Sequence, residues 1–277
     1  SAVRTTDIPV VQTFYSLGEE QRRHLGDAYV DEGKRIALER ALSRAVDGAV
    51  AHSTDELEQL ARMGVQRTSV EVVPVGVDTE AFTPEGDAEP RDGRRRRILS
   101  VDGFGPANRQ DDLIRAMRMV GDAELVIAGG AEDRLHDLAR RVGVDDQVRV
   151  LGWVPHSQMP RLYRSADLLA CTPRWATAGS APLEAMACGV PVVGYARGAV
   201  ADTVVDEVTG RLVTPGDVRG LGLSLRRLLA DETTRFAFKH AAVDRVRCRY
   251  TWDRAAGALE RIYTHVLGRR RRLAPAS

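Results

Sequence analysis

The chain has 277 residues, of which 43% are hydrophobic and 29% charged, as is typical of a globular protein with one large or two ordinary domains. Its 40 basic and 39 acidic residues leave a net charge of +1, so no nucleic-acid partner is expected. No apolar run approaches the ~20 residues of a membrane span, and no signal-peptide pattern is present, which indicates a cytoplasmic protein without a membrane span.

The three cysteines are far apart in the sequence and odd in number. Cys171, Cys188 and Cys248 match neither a disulfide framework nor the spacing of metal ligands. We interpret them as buried thiols of a protein in a reducing cytosol. We expect no metal and no cofactor.

The N-terminal part of the chain alternates short apolar runs with amphipathic segments. Strands are predicted at 8–14, at 47–53 and from 70 onward, and helices at 32–46 and 54–64. A stretch rich in Pro, Gly and charge follows at 83–97 and is predicted to be a linker. We interpret its run of four arginines, Arg94 to Arg97, as a solvated lead into the next strand.

The same alternation resumes after the linker. Near-continuous apolar strands separated by single helices indicate a parallel sheet covered on both faces. Ligands of such sheets bind at the carboxyl ends of the strands. Strands are predicted at 97–102, 124–130, 147–153, 167–173, 191–196 and 210–214, and helices at 109–120, 132–142, 156–165, 182–188, 199–206, 217–230 and 253–268.

One long segment carries a family resemblance. "APLEAMACGVPVVGYARGAVADTVVDEVTGRLVTPGD" (181–217) resembles the signature of the family-4 retaining glycosyltransferases, and "VVQTFYSLG", "VVPVGVDTEAFTP" and "RYTWDRAAGALERIY" are similar to further parts of that family. The resemblance implies an α/β, GT-B-like fold of two Rossmann-like domains around a cleft. The implied divisions are a partial N-terminal, acceptor-side domain at 1–82, a linker at 83–97, a C-terminal donor domain at 98–250, a crossing helix at 251–268 and a disordered basic tail at 269–277.

The resemblance also implies that the N-terminal domain is incomplete. About the first half of that domain has no counterpart in the chain. Its sheet would then expose strand edges. We expect a second copy, a partner chain or a further segment to cover them.

In the family, an Arg and a Lys of a G-R-L-x-x-x-K-G loop stabilise the charge that grows on the leaving diphosphate. Fixed cations at that place are the largest expected contribution to catalysis. With Asp111-Asp112-Leu113-Ile114 as the anchor, the Arg position is Gly103 and the Lys position is Asn108. The nearby Arg109 and Arg197 are the candidate substitutes.

Two further family positions also differ. In the family's Glu-x7-Glu motif, the first acid, which contacts the sugar, is Ala176, whereas the second, which binds the ribose hydroxyls, is Glu184. A His that contacts the donor sugar in the family is Tyr15 here. The alternative explanation needs no ligand: Glu184 lies in the first turn of a helix, where its negative charge interacts favourably with the helix dipole. Backbone amides at the start of that helix could face a sugar or phosphate, and these belong to Gly179, Ser180, Ala181, Pro182 and Leu183.

Three functions follow from these positions. The favoured hypothesis is a catalytically degenerate glycosyltransferase-like protein, a non-catalytic partner or binding module whose affinity for nucleoside-diphosphate sugars is weak or lost. The alternative is an active hexosyltransferase-type enzyme that uses Arg109 or Arg197, and a third is a related coupling reaction on an altered donor. The histidines are interpreted as surface or satisfied structural residues: His24, His52, His136, His156, His240 and His265.

Overall fold

The computed structural model describes residues 8–30, 34–91, 93, 95–101, 107–175 and 179–273. Two compact units divide these residues. The first unit contains the described chain up to Gly76, Trp175, and the chain from Trp252 onward. The second unit contains the described residues of Val77–Arg174 and Gly179–Thr251.

The described residues form short strands and helices that alternate along most of the chain. The strands are β1 (Val11–Thr13), β2 (Gly48–Ala51), β3 (Val70–Val72), β4 (Arg96–Val101), β5 (Ala123–Ala128), β6 (Val148–Val150), β7 (Leu168–Cys171), β8 (Val192–Tyr195) and β9 (Gly210–Val213). The α-helices are α1 (Gly18–Leu25), α2 (Lys34–Ala45), α3 (Thr54–Arg62), α4 (Gln110–Met117), α5 (Glu132–Val142), α6 (Met159–Arg164), α7 (Ser180–Ala187), α8 (Gly198–Thr203), α9 (Val218–Ala230), α10 (Glu232–Arg249) and α11 (Trp252–Leu273).

The first unit is built on a three-stranded parallel sheet in the order β1-β2-β3. Helix α3 begins where Ser53 caps it, since the Ser53 hydroxyl accepts a hydrogen bond from the Glu56 amide at 3.2 Å. The buried face of α11 packs against this sheet through one apolar cluster: Val50, Val73, Ala258, Ile262 and Val266. The C-terminal helix therefore belongs to the same unit as the N-terminal strands.

The second unit is built on a six-stranded parallel sheet in the order β6-β5-β4-β7-β8-β9. Each strand pairs in parallel with its neighbours, and the apolar residues of β4, β5 and β7 lie in the core of this unit. A Cβ on Gly194 would lie 2.6 Å from the carbonyl oxygen of Cys171, and a Cβ on Gly210 would overlap the Val192 carbonyl. Glycine is therefore required at both positions by close packing of neighbouring strands.

The interpretation of the arginine run as solvated is wrong for Arg97. Strand β4 begins at Arg96, and the Arg97 side chain is 1% exposed. Its guanidinium donates to Oε1 of Glu124 at 2.6 Å and to Oγ of Ser165 at 2.8 Å. Arg97 and Glu124 are partners in the β4–β5 register, so the buried cation pairs with a partly buried counter-ion on the neighbouring strand.

Other differences concern the ends and number of the helices. The sequence predicted neither α1 nor the 18-residue α10. Helix α11 continues to Leu273, five residues beyond its predicted end, so the arginines assigned to a disordered tail begin inside a helix. Cys171 and Cys188 are buried as predicted, whereas Cys248 is exposed on α10.

Candidate functional site

The strand order of the second unit reverses between β4 and β7. In an open parallel sheet, ligands bind at the carboxyl ends of the strands beside such a reversal. The segments that follow β4 and β7 are joined there by backbone hydrogen bonds of 2.7 Å, from the Arg109 amide to the Thr172 carbonyl and from the Arg174 amide to the Ala107 carbonyl. The candidate site is therefore built on two hydrogen-bonded segments at the carboxyl ends of the central strands β4 and β7.

Glu184 lies in the first turns of α7 and is buried, with 8% exposure. The Tyr163 hydroxyl donates to its Oε2 atom at 2.8 Å, and His156 Nε2 lies 3.4 Å from its Oε1 atom. Burial, together with the neighbouring Glu184 charge, raises the pKa of Tyr163 well above its ordinary value, so this hydroxyl stays protonated as a donor. One carboxylate oxygen is thus fixed by a buried hydroxyl.

The second oxygen of Glu184 faces a more open surrounding. The His156 side chain is 74% exposed, and its ring packs at 5.3 Å, centroid to centroid, from Phe82. Sequence reasoning treated His156 as a surface or structural histidine and did not single out Tyr163. The contact between His156 and Glu184 spans 28 residues and therefore gives no local sequence signal. The one available hint is that His156 and Tyr163 both precede a predicted strand whose carboxyl end lies at the candidate site.

The start of α7 has the geometry that the predicted amide donors need. Gly179 is the N-cap and adopts a left-handed conformation, with φ of 54°. Ser180 is exposed and Ala181 half-buried, whereas Pro182 and Leu183 are buried core residues, and Pro182 has no amide hydrogen. Amide donors can therefore come only from the exposed beginning of this helix.

The structure describes some of the substituted family positions and not others. Asn108 forms an isolated antiparallel bridge with Pro173 and lies at the joined loops. Tyr15 belongs to the first unit and is 68% exposed. Gly103 and Ala176 lie outside the described residues.

The two candidate substitute arginines are already engaged. Arg109 Nε lies 2.6 Å from Oδ2 of Asp112, a carboxylate that is only 4% exposed. The Tyr195 hydroxyl donates to the same carboxylate oxygen at 3.0 Å. Arg197 donates from Nη1 to the Arg174 carbonyl at 2.5 Å. Both guanidinium groups therefore act as local braces of the site.

Two uncharged polar groups that the sequence analysis did not select lie at the same edge. Gln110 Nε2 and Thr172 Oγ1 are buried and have no hydrogen-bond partner among the described residues. Gln110 is the first residue of α4, and Thr172 directly follows β7. Buried polar groups without partners are rare and call for a physical explanation, which a bound ligand would supply.

In the first unit, a buried carboxyl group lies beside the carboxyl end of β2. Glu56 is 6% exposed and accepts a hydrogen bond from the His52 amide at 2.6 Å. Burial raises the pKa of Glu56, the hydrogen bond from the His52 amide opposes this rise, and the nearby Glu20 charge adds to it, so that the pKa is about 7. Between pH 4.5 and about 7 the unfolded chain loses this proton more readily than the folded chain, so stability falls as pH rises through that window.

In the part of the chain that the structure describes, no group of three or more His, Cys, Asp or Glu side chains is arranged to hold a metal ion. Among the same residues, no helix combines the length and the apolar character needed to cross a membrane.

Curated relatives share most of the chain. A D-inositol 3-phosphate glycosyltransferase of Xylanimonas cellulosilytica is 33% identical over 97% of this chain and 69% of its own length. A protein of the same name from Salinispora arenicola is 33% identical over 92% of this chain and 63% of its own length. The chain thus spans about two thirds of the length of these relatives.

Solved structures share the fold. Sucrose-phosphate synthase from Thermosynechococcus elongatus superposes with a TM-score of 0.83 at 25% identity, over 93% of this chain and 68% of that one. Anabaena Alr3699/HepE in complex with UDP-glucose superposes with a TM-score of 0.78 at 19% identity, over 94% of this chain and 72% of that one. These likenesses confirm the predicted α/β, GT-B-like fold, with a small three-stranded sheet in the N-terminal part.

Family models match both parts of the sequence. The model described as "Glycosyl transferases group 1" matches residues 84–245, and the model described as "Glycosyltransferase Family 4" matches residues 1–81. The predicted resemblance is therefore confirmed, and the chain belongs to the group 1 glycosyltransferases.

Proposed function

We propose that this chain binds the nucleoside end of a nucleoside-diphosphate sugar and has lost the charges that catalyse sugar transfer. In this proposal it acts as a non-catalytic partner or binding module with a group 1 glycosyltransferase fold. The solved complex of HepE contains UDP-glucose, which makes a nucleotide sugar the expected ligand class. The curated relatives are named for transfer to D-inositol 3-phosphate, which makes a cyclitol phosphate one candidate acceptor for any activity that remains.

The nucleoside half of the proposal depends on Glu184. A carboxylate can accept hydrogen bonds from both hydroxyls of a ribose, and hydrogen bonds to a charged group contribute about 1.5–3 kcal/mol each. The buried hydroxyl of Tyr163 donates a hydrogen bond to one oxygen of this carboxylate, which favours one orientation of the Glu184 side chain. His156 is exposed and lies beside the other oxygen of Glu184. A bound ribose would either displace this histidine from the carboxylate or contact it directly.

The loss of catalysis depends on one observation, the ion pair of Arg109. Gly103 and Asn108 provide no charge for the leaving diphosphate, so a neighbouring cation would have to replace them. The Arg109 guanidinium instead pairs with the buried Asp112 at 2.6 Å, and moving it onto a phosphate would leave that carboxylate with weaker compensation. Two missing charge-assisted contacts correspond to about 3–6 kcal/mol, or a hundred- to ten-thousand-fold in affinity.

The proposal is tested by calorimetry of the full chain with uridine, adenosine and guanosine and with their diphosphates and diphosphate sugars. A nucleoside should bind about as well as its diphosphate. The triple variant Gly103→Arg/Asn108→Lys/Ala176→Glu should bind the diphosphate about a hundredfold more tightly or better. Gly268→Arg is the matched control, because it adds a guanidinium where nothing lies within 4 Å of the new Cβ, and it should change nothing.

The active-enzyme alternative predicts a different result. The unaltered chain would then bind a nucleoside-diphosphate sugar with micromolar affinity, and Arg109→Ala or Arg197→Ala would weaken that binding strongly. Micromolar binding that one of these substitutions weakens strongly would overturn the proposed loss of catalysis. The substitution that weakens it would identify the arginine that replaces the missing cations.

A further inference from the structure

A cavity of about 330 Å³ lies at the amino ends of the strands in the first unit. Asp47 directly precedes β2 and Ser69 directly precedes β3, and both line the cavity. Arg44, from the last turn of α2, and Arg269, from α11, line it as well. All four residues belong to the first unit. Parallel sheets bind substrates at the carboxyl ends of their strands, so this cavity lies at the edge opposite the one that the fold uses for substrates.

The two arginines bring positive charge to the cavity without a counter-ion. Both side chains are exposed, and neither guanidinium forms an ion pair with a carboxylate of the described residues. Arg269 donates from Nη1 to Oγ of Ser69 at 3.1 Å, which holds it at the start of β3. For Arg44, the structure records no hydrogen bond or ion pair within the described part of the chain. Both cations are therefore available to a ligand.

The rest of the described lining contains more donors than negative charge. Asp47 is the one acid among these lining residues, and its Oδ2 atom accepts a hydrogen bond from the Val10 amide at 2.9 Å. The Ser69 hydroxyl accepts from Arg269 and keeps its own proton to donate. The side-chain amide of Gln66 adds two further donor hydrogens. This set of groups suits an anion that has several acceptor oxygens.

We propose that the cavity binds a phosphate monoester. A guanidinium presents parallel N–H donors that match the oxygens of a phosphate, and two guanidiniums balance its double negative charge. The Ser69 hydroxyl and the Gln66 amide donate to the remaining oxygens. A volume of about 330 Å³ is at the lower end for small-molecule pockets, which leaves room for a phosphate and a short organic group. A soluble metabolite and a phospholipid headgroup both provide this chemistry.

A purely structural role of the arginines makes a different prediction. A cation near the end of a helix interacts favourably with the helix dipole, and this explanation applies to Arg44 and to Arg269 separately. It does not require the two side chains to line one cavity. Under it, substitution of either arginine lowers the stability of the fold and leaves the affinity for phosphate esters unchanged.

The direct test is a titration of the ¹⁵N-labelled full chain with glycerol 3-phosphate at constant ionic strength, with glycerol as the uncharged control. The backbone amide resonances of Gln66 and Ser69 should shift saturably with the ester and should not shift with glycerol. Arg44→Gln and Arg269→Gln should each weaken binding about two- to tenfold, the lower values reflecting the exposure of both side chains. The matched control is Arg62→Gln, an exposed arginine in the last turn of the neighbouring α3, which should bind as the unaltered chain does.

The sign of the charge effect is tested by Asp47→Asn. This variant keeps an acceptor for the Val10 amide and removes a negative charge from the cavity, so it should tighten binding about two- to fivefold. Sedimentation with phosphatidylcholine vesicles, with and without phosphatidic acid, shows whether a lipid headgroup is the source of the phosphate. Thermal unfolding verifies that each variant is folded.

Three results would overturn the proposal: no saturable binding of either phosphate source, equal affinity in both arginine variants, or weaker binding in Asp47→Asn. Uridine has no phosphate and is expected to bind in the second unit. Its affinity should be the same in all of these variants, so failure of one proposal leaves the other testable.

Discussion

Removing Tyr163 and Glu184 singly and together separates the structural role of Glu184 from its proposed role in binding. The Tyr163 side chain is fully buried, and its hydroxyl donates to Glu184 over 2.8 Å. Glu184→Ala leaves that hydroxyl buried without its acceptor, which should cost about 1–3 kcal/mol of folding free energy. Tyr163→Phe removes a hydrogen bond to a charged group, which should cost about 1.5–3 kcal/mol.

The double variant loses the same hydrogen bond only once. Its cost should therefore be smaller than the sum of the single costs, with a coupling energy of about 1–3 kcal/mol in a double-mutant cycle. Urea unfolding of the four proteins measures this coupling. Asp137→Ala removes an exposed carboxylate on α5 and is the control, expected to change stability by less than about 0.5 kcal/mol.

Nucleoside binding should follow a different pattern in the same four proteins. Tyr163→Phe keeps the carboxylate and should retain binding within about tenfold, whereas Glu184→Ala and the double variant should lose about tenfold or more. Calorimetry with uridine, adenosine and guanosine makes the comparison. A double variant that binds a nucleoside as well as the unaltered chain would refute the ribose role and leave Glu184 as a partner of Tyr163 alone. Absence of coupling would refute the energetic argument.

Four further predictions concern stability. Arg97→Met should cost about 1–3 kcal/mol in urea unfolding, because it leaves the partly buried Glu124 carboxylate without its cation; a cost below about 0.5 kcal/mol would contradict this. Glu56→Gln should remove the decline in stability between pH 4.5 and about 7, which is worth about 3 kcal/mol, and an unchanged pH profile would refute the assignment. In thermal unfolding, Gly194→Ala should destabilise by about 1–3 kcal/mol, because the new Cβ meets backbone. Gly257→Ala, whose new Cβ has no neighbour closer than 3.8 Å, should instead stabilise α11 by about 0.5–1 kcal/mol.

The regular core of the second unit was predictable because most residues of its strands are apolar and helices such as α5 combine buried leucines with an exposed charged face. Helix α10 was missed because its buried side includes Arg235, which donates to the Leu228 carbonyl at 2.8 Å, while Phe236 is 65% exposed. The first buried residue of this helix is therefore a charged one held by the end of α9, whereas the rest of the buried face is apolar. Helix α1 was missed because a distant residue supports its start, Glu39 accepting from the Gly18 amide at 2.9 Å.

The candidate site divides in the same way. The position of Glu184 on a helix that leads into a buried strand follows from the local pattern "APLEAMACGVPVV". Its hydrogen bond with Tyr163 spans 21 residues, and the contact of Tyr15 with His52 joins two strands 37 residues apart. Such contacts depend on which strands become neighbours, and composition does not encode that order. Only the folded structure shows that Nδ1 of His52 contacts the Val73 carbonyl while its Nε2 has no hydrogen-bond partner among the described residues.

The residues within the segments that resemble the family differ in what they say about function. Gly194 and Gly210 lie where neighbouring strands leave no room for a Cβ, so the fold alone is enough to require them. Their presence supports an intact sheet and has no bearing on catalysis. Asn108 is half-buried and Tyr15 is exposed, so close packing does not fix the residue type at these two positions as it does at the two glycines. Glu184 belongs to both classes, because Tyr163 needs an acceptor whether or not a nucleotide binds. Retention of Glu184 is therefore weak evidence for nucleotide binding by itself, and the evidence becomes strong only when Tyr163 has been removed and the carboxylate is still required for binding.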